Sequence, residues 1–97
     1  MKVYKYPIND ALYAGKAVMV DAPGASYICH AGVDPSGDLC VWVLVSPGEW
    51  PTAKLRAAVY GTGQDIPDDL DMAHLTSYVS GPYVWHVFGD IDYGEAA

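Results

Sequence analysis

The stretch KLRAAVY (Lys54–Tyr60) sets Leu55, Ala57 and Val59 on alternate positions, with Lys54, Arg56, Ala58 and Tyr60 between them. A period of two means an extended strand with one face on a core, because successive side chains point to opposite faces. A helix is the rival, since Pro51 suits a first turn and alanines follow. The alternation and the Val-Tyr-Gly ending decide for a strand. VYKYP (Val3–Pro7) reads as a first strand that Pro7 ends. Ala17–Val20 reads as a second, closed by a turn at Pro23-Gly24. SYICHAGV and DLCVWVLV flank DPSG (Asp34–Gly37), a type I turn signal and the clearest hairpin in the chain. Centring that turn between Pro35 and Ser36 sets Cys29 opposite Trp42 and Ala31 opposite Cys40. HLTSYVS and YVWHVFG flank a final turn at Gly81-Pro82.

About seven short strands with turns every 8–12 residues predict an all-β fold, a small antiparallel sandwich or barrel. The 97 residues suit one domain with one core, spanning 1–97 with a frayed tail over 90–97. CVWVLV and YVWHVF are apolar on both faces, so both are expected at sheet centres with cover on each side. Trp42 and Trp85 are then structural. One short helical turn is expected near 66–73, with Asp65 as its cap and Pro67 in its first turn.

Charge narrows the functions. Residues 1–56 hold five Lys or Arg and five Asp or Glu, whereas residues 57–97 hold seven Asp or Glu and no Lys or Arg. The whole net charge of −7 therefore belongs to the C-terminal part. Such a surface repels phosphates, so direct nucleic-acid binding is not expected, and a basic protein surface is the complementary partner. The chain opens KVYKYPIND with no apolar secretion signal, and its longest apolar run, CVWVLV, is too short to span a bilayer. A soluble protein without membrane contact follows as the expectation. Cys29 and Cys40 fit no zinc spacing and read as two buried thiols in neighbouring strands.

Candidate site residues cluster after the alternating strand. Gly61-Thr62-Gly63 can turn successive N–H groups toward an anion, or simply bend the chain. No GxxxxGK or GxGxxG pattern follows, and Asp65, Asp68, Asp69 and Asp71 lie just downstream. A bend is the preferred reading. Lys54, Arg56 and Tyr60 are the side chains that would complete a nucleotide-like pocket there. The aspartates do not match an EF-hand loop, so no metal site is assigned. His30 and His86 read as hydrogen-bonded core histidines. Cys29 and His30 are adjacent in a strand and face opposite ways, and Thr76, Ser77 and Ser80 lack a nucleophile-elbow motif. No catalytic residue, enzyme activity or cofactor is therefore expected. Trp50, in the PGEWP loop, is an aromatic anchor for a partner.

The order of motifs, YKYPI, APGASYI, LCVWVLV, R-AAVYGTG-Q-DI and YVWHVF, resembles a family of small uncharacterised bacteriophage proteins over most of residues 2–89. Members commonly carry His after the Thr-Gly, where this chain has Gln64. The resemblance implies viral origin and a mostly-β fold, and it assigns no activity. Small non-essential phage proteins often oppose host defences. The leading expectation is thus a non-enzymatic protein in the infected bacterial cytoplasm that masks a host protein through its acidic surface. The alternatives are an oligomeric sponge for a nucleotide-like signal and an accessory virion protein.

Overall fold

The computed structural model describes residues 1–14 and 16–94, with only the backbone of Tyr13 and Ala14. The elements run β1 (Lys2–Pro7), α1 (Asp10–Ala14), β2 (Val18–Asp21), β3 (Ala25–Val33), β4 (Leu39–Val45), β5 (Lys54–Gly61), β6 (Ala73–Ser80) and β7 (Tyr83–Asp92). Among the described residues the seven strands form two antiparallel sheets, ordered β1-β4-β3 and β2-β5-β7-β6. β3 meets β6 and β7 across the gap, which makes the fold an all-β sandwich. β4 and β7 occupy interior positions in their sheets, as their apolar sequences require.

The alternation of β5 works as its sequence dictates. Leu55, Ala57 and Val59 enter the shared core, together with Leu39, Val41 and Val43 of β4 and Val87 of β7. Trp85, Tyr78 and Tyr6 pack around its margin. Gly89 of β7 stands where a Cβ would lie 2.8 Å from both the Arg56 carbonyl oxygen and Leu75 Cδ1. Its missing side chain is the space that Leu75 fills. α1, unforeseen in the sequence, follows Asn9, whose Oδ1 accepts from Leu39 N–H at 2.9 Å and whose Nδ2 donates to Asp38 at 3.0 Å. Ile8 and Ala11 then enter the core beside it.

Five expectations are corrected here. The β3–β4 connection is longer than DPSG, so Ala31 faces Val41 and Gly32 faces Cys40. Asp34 organises it. Its Oδ1 accepts from Ser36 and Asp38 N–H, both at 2.9 Å, and Gly37 takes φ 89°. Register shifts between Ile28 and His30, so Cys29 has no strand partner and is exposed, whereas Cys40 is buried. His30 is also exposed and packs on Trp42, 5.2 Å between ring centres, on the outer face of the three-stranded sheet. Among the described residues no further layer packs on that face, so β4 has a core on one side only. Finally, β7 continues through Asp92, and Tyr93 Oη donates to the Ser26 carbonyl at 3.0 Å. The tail is therefore held as far as Gly94, whose N–H donates to Asp92 Oδ1 at 2.9 Å, and the remainder of the expected frayed segment, 95–97, lies outside the described residues.

Two predictions follow from this packing. Leu55 is fully buried, so Leu55→Ala should lower unfolding free energy by about 2–5 kcal/mol in urea titration. The Lys5 ammonium, 2.7 Å from Asp34, and then the Asp38 N–H hold the Asp34 carboxyl below the usual carboxylate range. A depressed folded pKa stabilises above the unfolded carboxyl value and loses that contribution as pH falls through the folded one. Asp34→Asn should therefore reduce stability at pH 7 and flatten its decline below about pH 4, read from urea midpoints against pH.

Candidate functional site

After β5 the chain turns at Gly61–Gln64 and returns over the outer face of the four-stranded sheet. Apolar contacts hold it there, with Met72 buried and Leu70 half-buried against Ala58, Tyr60 and Phe88. Arg56 ties the same loop down. Its Nε donates to Asp90 at 2.6 Å, and its Nη2 donates to Asp90 and, at 3.2 Å, to Asp71. These carboxylates, Asp90 first, hold the guanidinium pKa above its ordinary value. Leu70 N–H donates to the Pro67 carbonyl at 3.0 Å, closing one β-turn. The helical turn expected near 66–73 is replaced by that turn, since a single closed turn lacks the length to propagate.

Asp65, Asp68 and Asp69 are exposed and meet no cation or hydrogen-bond donor among the described residues. Asp71, by contrast, is engaged by Arg56. Arg56, Tyr60, Asp65, Asp69 and Met72 line a groove of about 350 Å³ under the loop, with Lys16 at its side. The structure thus brings together Arg56, Tyr60 and the aspartates. It leaves Trp50 and Lys54 at the other end of β5, about 20 Å from Gly61 at the usual rise per residue. Lys54 lies 2.5 Å from Asp21. Trp50 packs on Tyr93, 4.7 Å between ring centres, and its carbonyl accepts from Gly24 and Ala53.

The Gly61–Gly63 stretch is a bend. Gly61 N–H donates to Gln64 Oε1 at 2.5 Å, Thr62 N–H to the Val84 carbonyl at 3.1 Å, and Gln64 N–H to the Gly61 carbonyl at 3.0 Å. Gly63 takes φ 88°, the left-handed conformation that the turn demands. Two of the three N–H groups that would cradle an anion, those of Gly61 and Thr62, are already engaged.

A polar cluster stands on the same sheet face. Ser77 Oγ lies 2.7 Å from His86 Nδ1 and 2.9 Å from His74 Nε2, while His86 Nε2 lies 2.8 Å from Thr62 Oγ1. Ser77 and His86 are direct cross-strand partners. His74 and Ser77, three residues apart, would face opposite ways in a regular strand. The register shift between His74 and Thr76 returns them to one face. No pattern of spacing in the sequence announces that bulge, so the cluster was invisible to it. His86 is half-buried and hydrogen-bonded, although it faces outward rather than into the core.

A family model described as "Domain of unknown function (DUF7352)" matches residues 1–96. The chain belongs to this family. No curated protein and no solved structure matches it. Within this DUF7352 domain no group of three His, Cys, Asp or Glu converges as metal ligands among the described residues. No described helix is long and apolar enough to cross a membrane.

The Arg56 clamp can be tested directly. Arg56→Met should leave the half-buried Asp90 unpaired, lower stability by about 1–3 kcal/mol, and raise amide exchange across residues 66–72 relative to β5 and β7.

Proposed function

We propose that the protein is a small phage-type binding module whose acidic loop, residues 65–71, docks on a basic surface of a host protein and masks it, as a counter-defence inhibitor would. The observation that carries this reading is the set of unpaired carboxylates, Asp65, Asp68 and Asp69, on a loop fixed by Met72, Leu70 and the Arg56–Asp71 contact. Acids that serve solubility alone need no fixed backbone. Charges held in place before docking lose less entropy on binding and steer a basic partner toward one face. Viral origin rests on the resemblance of motif order. A nucleotide sponge at the Gly61–Gly63 bend has less support, because Lys54 and Arg56 are committed to carboxylates and the Gly61 and Thr62 amides to Gln64 Oε1 and the Val84 carbonyl.

The test is capture of host proteins from bacterial lysate by the wild type and by Asp65→Lys/Asp68→Lys/Asp69→Lys. These three side chains have no hydrogen-bond or ion-pair partner among the described residues, so the fold should survive. A stoichiometric partner should associate about tenfold more slowly with the triple variant, and its wild-type binding should weaken with salt. Equal rates for the two proteins would remove the acidic loop from the interface.

A further inference from the structure

The Thr62–His86–Ser77–His74 cluster contains more than a surface hydrogen-bond network needs. Each neutral imidazole has one donor and one acceptor nitrogen, and each hydroxyl has a single proton. One arrangement satisfies every contact. His74 Nε2–H donates to Ser77 Oγ, Ser77 O–H to His86 Nδ1, His86 Nε2–H to Thr62 Oγ1, and Thr62 O–H to the Val84 carbonyl, 3.4 Å away. The reverse direction leaves the Val84 contact unmade. In the complete arrangement the Ser77 proton already lies on an imidazole acceptor. That imidazole is held in its tautomer by a third group, Thr62, at the opposite nitrogen. Nucleophile, base and orienting group in this relation are the working parts of an activated serine. Ser77 is exposed, so an electrophile can reach it.

We propose that Ser77 is a nucleophile for acyl transfer from small activated esters, with His86 as its base, Thr62 as the positioning residue and His74 as a hydrogen-bond donor to the reacting oxygen. In the first step Ser77 Oγ bonds to the acyl carbon and the ester C–O bond breaks. The serine proton passes to His86 Nδ1 and then to the departing alcohol. Water attacks the resulting serine ester with His86 again as base, which frees the acid and restores Ser77. The activity is independent of the acidic loop, and it goes beyond protein masking.

The experiment uses a fluorophosphonate probe on the full chain, read by intact mass and peptide mapping. Ser77 Oγ displaces fluoride from phosphorus, so each labelled molecule gains one phosphonyl group and releases hydrogen fluoride. The expected result is a single adduct on Ser77, none on Ser80 of the same strand, and none on Ser77→Ala. His86→Gln, folded by circular dichroism, should label about 100-fold more slowly. Thr62→Val should slow labelling, and Thr62→Ser should restore it, because the hydroxyl rather than the fold is what the base requires. No adduct under excess probe, or Ser77 labelling at an undiminished rate in folded His86→Gln, overturns the proposal.

Discussion

Two sheets share one interior in which six of the thirteen buried cluster residues are alanines: Ala11, Ala22, Ala25, Ala31, Ala53 and Ala57. Such small side chains contribute little apolar area each, so Ile8, Leu39, Leu55 and the valines supply most of the hydrophobic stabilisation. Close packing tolerates little slack around them. The bulkier rings are displaced to the margin, where Tyr6, Tyr78 and Trp85 are only partly buried. A 97-residue chain with so modest an interior depends on additional ties. Asn9 and Asp34 fasten the β4 end of one sheet, and Arg56 fastens the outer face of the other.

Those ties explain which parts of the fold the sequence announces. Strands with one buried face leave an alternating record, and β5 is legible for that reason. The turn at Asp34–Gly37 is legible because proline and glycine mark it. The register beyond it is not, because Asp34 captures two backbone N–H groups and lengthens the loop, which shifts every partner. α1 is too short to show a 3.6-residue period, and its anchor is a contact from Asn9 to residues about thirty positions away. Trp50 reads as an exposed residue between prolines and is exposed, but its contact with Tyr93, distant in sequence, is not legible there. For α1 and for the Trp50–Tyr93 contact the deciding partner is distant in sequence, whereas the β3–β4 register is set by a local side-chain capture that the turn motif does not specify.

The candidate site divides along the same line. The aspartates and Arg56 are evident from composition and strand alternation, whereas their division into paired and unpaired groups is a property of the folded chain. Asp71 and Asp90 neutralise Arg56 and position the loop, Asp21 neutralises Lys54, and Asp34 neutralises Lys5. The pairing removes cations from the surface as much as anions. Among the described residues Asp65, Asp68 and Asp69 form no ion pair, although Lys16 and Arg56 line the same groove as Asp65 and Asp69.

The Gly61–Gln64 turn joins the two candidate activities without performing either. Its amides close on Gln64, Gly61 and Val84, which fixes the corner from which the acidic loop departs. The same corner fixes Thr62, whose backbone N–H and hydroxyl both address the Val84 carbonyl while its oxygen meets His86. A flexible loop would hold neither the carboxylates on one side nor the imidazole tautomer on the other. The glycines matter through the conformation they permit at Gly63, so that a turn with no ligand of its own sets the geometry of the groups around it.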